Sequence, residues 1–233
     1  MTKAFVLSSG GLDSTTCLAK AISIYGKEDV ESISIYYGQK HDKELESAKE
    51  VARYYGIPHH GLSLASIFRP LDNPLLKGSE KEIELSSYEE QVKEDPTGKV
   101  KTYIPFRNGL FISAIASYAL SIYPDEKIKI WIGVHADDSA GNAYADTSLD
   151  FIARMDSAIR TGTYGQVEVI APFVTRHKAD IVREGLELKV PYELTWSCYN
   201  GGEKACGRCA TCRDRLDAFR MNNAKDPIDY EVD

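Results

Sequence analysis

Short apolar runs alternate with longer stretches in which apolar side chains recur every three or four positions. The pattern AFVLSS (Ala4 to Ser9) predicts a buried strand, and Ser14 to Tyr25 predicts a helix that stops at Gly26. The rhythm then repeats. SISIYY (Ser32 to Tyr37), HHGLSL, IKIWIGV (Ile128 to Val134) and VEVIAP read as further strands. Helices are expected over Lys43 to Tyr55, Leu110 to Ile122, Ser148 to Ile159 and Lys178 to Leu188, with a last one running to about Met221. Strands that alternate with helices of this length form parallel sheets with helices on both faces, so the expected class is α/β, a doubly wound, Rossmann-like parallel sheet. We expect the body over residues 1–190 and a small appended segment over 191–233. Two regions break the rhythm: residues 67–101, rich in charge, Pro and Gly, read as a surface insertion or lid, and the acidic end DPIDYEVD reads as a loose tail.

Composition narrows the partners. With 233 residues, 43% apolar and 27% charged, the chain suits one soluble unit, and a net charge of −7 disfavours a surface built to coat nucleic acid. Small molecules are the expected partners, with no direct nucleic acid and no membrane. No apolar run reaches membrane-spanning length, and the start MTKAFVL lacks the apolar core of a signal peptide, so a cytoplasmic location is expected.

The stretch SSGGLDSTT (Ser8 to Thr16) lies between the first strand and the first helix. Glycines let backbone N–H groups approach an anion, and the helix N-terminus adds its dipole. A Walker loop needs Lys and Ser/Thr after its last glycine, and Leu12 and Asp13 stand there instead; Gly10-Gly11 does not make GxGxxG either. SGGLDST resembles the pyrophosphate-binding SGGxDS loop of the N-type ATP pyrophosphatases. That resemblance implies ATP cleavage between the α and β phosphates, with Asp13 organising the loop or helping to hold Mg²⁺. Cys17 suits a small packing residue better than a nucleophile.

Cys198, Cys206, Cys209 and Cys212 fall within one short, glycine-rich segment. Four thiolates so spaced suit a closed tetrahedral zinc. An iron–sulfur cluster is the rival, since CxxCxxC also occurs in ferredoxin-type runs; here the fourth cysteine lies upstream and no Cys-Pro follows, which favours zinc.

Further motifs extend the resemblance along the chain: YGQKHDKE (Tyr37 to Glu44), YIPFRN (Tyr103 to Asn108), IGVHADD with Tyr144, Ala145, Asp146 and Phe151, APF with HKADIV (Ala171 to Val182), and LTWSCYNGGEKACGRCATC (Leu194 to Cys212). Together these resemble the 7-cyano-7-deazaguanine synthase family. The resemblance implies a ligase forming a carbon–nitrogen bond, which turns 7-carboxy-7-deazaguanine, ammonia and ATP into a nitrile for queuosine or archaeosine modification of tRNA. It also implies a homodimer with one structural zinc per chain. Carried over by position, Ser8, Ser9, Gly10, Gly11, Leu12, Asp13, Ser14, Thr15, Thr16, Cys17 and Leu18 would hold ATP, and the four late cysteines the zinc. Three positions depart from the family pattern: Leu12 for glutamine, Phe106 for a small residue, and Ala145 for proline.

Other side chains have two readings each. Arg107 and Asn108 would meet the substrate carboxylate or acyl phosphate, or merely start a helix. Lys178 would meet pyrophosphate, or be an ordinary solvated lysine. Asp137, Tyr144 and Asp146 would read the guanine-like edge, or form an acidic surface loop. Gln39, His41 and Glu44 lie near the second strand end as polar contacts, and His41 is as well placed to start a helix. Catalytic work is assigned to Asp13, Ser14, Arg107 and Lys178. The rival activities are a tRNA-thiolating enzyme with the same loop, an amide-forming relative that stops at 7-amido-7-deazaguanine, and a non-catalytic nucleotide sensor.

Overall fold

The computed structural model describes residues 2–84, 86, 88–96, 98–138 and 143–231; residues 139–142 of the Ile132 to Phe151 stretch and three positions of the 67–101 segment lie outside the described residues. Five strands, β1 (Thr2–Leu7), β2 (Val30–Tyr36), β3 (His59–Ser63), β4 (Lys127–Trp131) and β5 (Val167–Ile170), pair in the order β3-β2-β1-β4-β5, every neighbour parallel. β1 lies in the middle with both faces covered, and Ala4, Phe5 and Val6 are all fully buried, which is why the run reads as continuously apolar.

Helices α1 (Leu12–Tyr25), α2 (Lys43–Tyr55), α3 (Ala65–Phe68), α4 (Tyr88–Glu94), α5 (Arg107–Ile122), α6 (Leu149–Gly162), α7 (Lys178–Glu187) and α8 (Ala210–Met221) connect and cover the sheet. On one face Phe5, Ile33, Ile130, Ile112 and Ile115 form a core with α5 and α6. On the other, Val6, Leu18, Trp131, Ile181 and Phe219 pack with α1, α7 and α8. Burying each such side chain contributes about 1.5–3 kcal/mol, and alternate residues of β1 feed the two cores. β2 and β3 lie to one side of β1 and β4 and β5 to the other, so the chain reverses direction across the sheet at the β1/β4 boundary. The loops leaving these two strands splay apart there, and a crevice opens at their C-terminal ends.

The 67–101 segment is seated on the body at its first half. Phe68, Leu75 and Leu76 join the α5-side core, Lys40 N donates to Leu75 O at 2.8 Å, and Lys77 N to Gly38 O at 2.7 Å. The Asn73 amide ties the segment's ends together by donating to Lys101 O and Tyr103 O at 3.1 and 3.0 Å.

The tail expected to be loose is pinned over residues 226–231, its last two positions lying outside the described residues. Asp226 is buried and holds the fully buried Arg215 of α8 through two bonds, Nε to Oδ2 at 2.6 Å and Nη2 to Oδ1 at 2.9 Å. Tyr230 donates to Asp226 Oδ2 at 2.6 Å, and Ala205 N donates to Asp229 O at 2.9 Å. An arginine without water needs a carboxylate partner, and the acidic end supplies it.

Candidate active site and metal centre

The SGGLDST loop leaves β1 and turns into α1 at the crevice. Gly10 has φ +81, and a Cβ there would lie 2.0 Å from the backbone oxygen of Glu44, so only glycine fits. Gly133, just past β4, serves the other side: its Cβ would lie 3.0 Å from the backbone of Asp13. Two backbones therefore press together at the loop. Ser9 Oγ and Ser14 Oγ lie 3.0 Å apart, Ser9 N donates to Ser14 Oγ at 3.2 Å, and Gly11 N donates to Ser9 Oγ at 3.3 Å. These long bonds leave hydroxyls and N–H groups at a helix N-terminus, a cradle for an anion. Thr16 and Cys17 face inward: Thr16 Oγ1 donates to Leu12 O and pairs with Tyr192 OH, and burial pushes the Cys17 thiol far up, out of nucleophile range.

Lys178, the first residue of α7, crosses the crevice to Asp13, Nζ to Oδ2 at 3.2 Å. Burial works against the charge of Lys178, but Asp13, then Asp138 and Asp214, hold its pKa above the ordinary value. Burial likewise works to raise Asp13, and Lys178 and His135 outweigh it, so the carboxyl stays well below the usual range. Asp13 Oδ1 is buried with no hydrogen-bond partner. His135 sits behind this pair, 3.7 Å from Asp13, 3.7 Å from Asp137 and 3.4 Å from Asp138.

The other expected residues divide. Arg107, Asn108 and Tyr144 line the same cleft as Ser9, Gly11, Asp13, Ser14 and Lys178. Arg107 lies over the rings of Tyr37 and Phe111, 5.4 and 6.0 Å from their centroids. Asn108 and Asp146 lock each other, with Asn108 N donating to Asp146 Oδ2 at 2.8 Å and Asn108 Nδ2 to Asp146 O at 3.2 Å; both are buried. Asp137 stands outside the cleft wall and caps α7: His177 Nδ1 lies 2.6 Å from Oδ1, and Lys178 N donates to Oδ2 at 2.8 Å. Two of the three residues expected at the ring edge are thus committed to holding backbone in place. Phe106 takes the left-handed conformation, φ +55, with its ring against Gly109 and edge-on to Phe151 at 5.9 Å, so a bulky side chain is accommodated outside the cleft.

Sequence reasoning gave no chemical role to His135, Asp138 or Asp214, and left Glu44 as one polar contact among several. The signal for His135 lies in its place immediately beyond β4, where side chains meet the crevice. Glu44 follows from the same rule for β2 and the first turn of α2.

The C-terminal segment supplies a further wall through Trp196, Ser197, Tyr199, Thr211 and Asp214. Trp196 N donates to Gly10 O at 2.9 Å and its indole N–H to Cys198 O at 2.8 Å. The four sulfurs of Cys198, Cys206, Cys209 and Cys212 all lie within 4.8 Å of one another, fully enclosed, and Cys206 and Cys212 are 3.9 Å apart. A single ion with bonds of about 2.3 Å sets tetrahedral sulfurs about 3.8 Å apart. Backbone N–H groups of Asn200, Cys206, Arg208 and Cys209 point at the sulfurs from 3.3 to 3.4 Å, as charged thiolates require. The cluster could hold a metal ion, and the residues fit one.

A parallel sheet of this order, with a lysine-free glycine–serine loop at its switch point, defines a doubly wound α/β protein with an anion cradle at its crevice. The family model described as queuosine biosynthesis protein QueC matches residues 3–223. Curated proteins called 7-cyano-7-deazaguanine synthase are similar along the whole chain. That of Caldicellulosiruptor bescii is 42% identical over 231 residues, covering 99% of this chain and 98% of the relative. That of Archaeoglobus fulgidus is 39% identical, covering 97% and 89%, and that of Pseudoalteromonas translucida 36%, covering 98% and 99%. The chain belongs to this QueC family, whose named members are enzymes.

Proposed function

We propose that this chain is a 7-cyano-7-deazaguanine synthase, a ligase that makes the nitrile from 7-carboxy-7-deazaguanine, ammonia and two ATP. The observation that carries the reading is the single cleft in which the loop cradle, Lys178 and Arg107 face one space. A carboxylate cannot lose hydroxide to ammonia, so one of its oxygens attacks the α phosphorus of ATP and pyrophosphate leaves. Gly11 N–H, the hydroxyls of Ser9 and Ser14, and the α1 N-terminus take the charge that develops on the leaving group, and Lys178 adds a full cation. Asp13 holds Lys178 in place. Ammonia then attacks the acyl carbon, AMP departs and the amide forms. The amide oxygen is adenylated in turn, and loss of AMP and a proton leaves C≡N. Arg107 neutralises the acid and then the oxygen that carries each adenylate.

Magnesium enters with ATP, and the partnerless Asp13 Oδ1 is the acceptor that the loop offers it. Zinc would be held by the four cysteines, where it supplies structure and no open position for chemistry. A homodimer working in the cytoplasm completes the reading; among the described residues no helix is long and apolar enough to cross a membrane.

Mass spectrometry of the product under limiting and excess ATP tests it. Nitrile with two AMP per molecule is expected, and added amide should be consumed for one AMP without ammonia. Amide that persists under excess ATP would leave a ligase that is not a nitrile synthase; ADP and phosphate as products would remove the loop from its leaving-group role.

A further inference from the structure

The cleft holds a carboxylate with no assigned work. Glu44 opens the first turn of α2 against the back of the loop, its backbone oxygen directly behind Gly10. Its side chain lines the cleft with Tyr37, Arg107 and Tyr144. Of the other acids nearby, Asp13 is held by Lys178 and His135, Asp138 by His135, Asp137 by the α7 cap and Asp146 by Asn108, while Asp214 stands on the C-terminal wall beside the charge of Lys178, away from Arg107. Glu44 has only the distant charge of Arg107, and no ion pair within 4.0 Å joins the two among the described residues.

Two opposite charges thus face one space without meeting. Left in water they would be solvated, and in direct contact they would cancel; held apart in a half-dry cleft they satisfy neither condition. The strain is visible in the acid, whose pKa burial pushes up to about 7, with Arg107 offsetting only part of that rise. A ligand that presents N–H donors to Glu44 and an anionic or electron-rich oxygen to Arg107 removes both costs at once. A planar ring also suits the aromatic side chains of the same cleft, Tyr37 and Phe111, which lie against Arg107.

We infer that Glu44 is the specificity-determining residue for the base, its carboxylate accepting the ring N–H and the exocyclic amino group of a guanine-type edge. The assignment rests on the proposed function for the identity of the substrate, and it deepens that reading by naming the group that distinguishes a 2-amino ring from a ring without one. A carboxylate accepts from two adjacent N–H donors at once; a ring lacking the amino group leaves one buried oxygen unpaired.

The test uses Glu44→Gln and Glu44→Asp with two substrates, 7-carboxy-7-deazaguanine and the analogue without the 2-amino group, and measures binding of 7-deazaguanine by calorimetry in parallel. In the wild type kcat/KM should favour the amino substrate by at least about 10²-fold, as buried unpaired oxygens dictate. E44Q should lose most of that preference while KM for ATP stays within about two-fold, and E44D should restore part of the preference, because the acceptor pair survives. The wild-type kcat/KM should fall as pH drops through about 7, where Glu44 gains its proton, and E44Q should lack that limb. Unchanged discrimination together with an unchanged acid limb in E44Q overturns the assignment. If the wild type makes no product but binds 7-deazaguanine and E44Q does not, the synthase reading fails and Glu44 keeps its role; if neither protein binds the ring, both fall.

Discussion

Two glycine-rich segments meet at Trp196, and they treat their polar atoms in opposite ways. The SGGLDST loop leaves the buried Asp13 Oδ1 without a hydrogen-bond partner and keeps its hydroxyls in long mutual bonds, so unspent capacity remains where Ser9, Gly11, Asp13 and Ser14 line the cleft. The cysteine segment, though its edge lines the cleft, spends its polar groups on itself: N–H groups onto sulfur, the Trp196 indole onto Cys198 O, Arg215 onto Asp226, Thr195 and the Tyr192 carbonyl. An open segment can change partners during a reaction; a closed one can only hold its shape. The Trp196 N to Gly10 O bond makes the closed segment the floor on which the open one rests.

The severest way to break this arrangement, if the four cysteines hold the zinc proposed above, is to strip that ion from them. Structural zinc in small sites contributes about 10–16 kcal/mol at neutral pH, so chelation, or Cys209→Ser, should unfold the C-terminal segment and take the loop with it. Loss of ATP binding should follow metal loss in parallel, measured by calorimetry beside atomic absorption for zinc. An apoprotein that binds ATP with unchanged affinity would show that the floor is not needed.

Attack on the open segment should look different. Lys178→Met should lower kcat/KM for AMP release by about 10²- to 10³-fold, the usual cost of one charge-stabilising donor, with thermal unfolding little changed. Asp13→Asn should act in the same direction, since it releases Lys178 from its anchor. A large fall in melting temperature with full activity per folded molecule would reverse the two regions' roles.

The closed segment has its own quieter test. Asp226→Asn leaves the fully buried Arg215 without a counter-charge, and such a loss costs about 3–5 kcal/mol. For a chain of this size that lowers the melting temperature by roughly 6–20 °C, with kcat on the surviving folded fraction near wild type. This pair also marks the limit of what the sequence discloses. Strands buried on both faces appear as apolar runs, and the loop and four cysteines are each contiguous, so fold and both centres are legible locally. Arg215 and Asp226, Trp196 and Gly10, or Glu44 and Arg107 meet only through the tertiary path. An acidic tail therefore looks solvated although one of its carboxylates is a buried counter-ion. Asp137 and Asp146 follow the same logic in reverse, since acids at a strand end look like ligand contacts until the helix cap or the Asn108 lock that they complete is seen.

The finest distinction between the regions is the direction in which pH weakens each. Burial works to lower the pKa of His135, but Asp138 and then Asp13 outweigh it, with Lys178 opposing, and the result lies above the ordinary value. The folded protein therefore holds this proton more tightly than the unfolded chain. The stability His135 contributes is fully present below about pH 6.5 and is lost as pH rises through the raised value. His135→Asn should remove that dependence, so the gap in melting temperature between wild type and variant should narrow from about pH 6 toward pH 9. The cysteine segment has the opposite sign, because thiolates must shed protons to bind metal, and acid displaces the ion. Alkali should thus loosen the loop side first and acid the cysteine side first. Melting curves and zinc content across the range read the two limbs separately, and a gap that widens with rising pH would mean that His135 is neutral behind the loop.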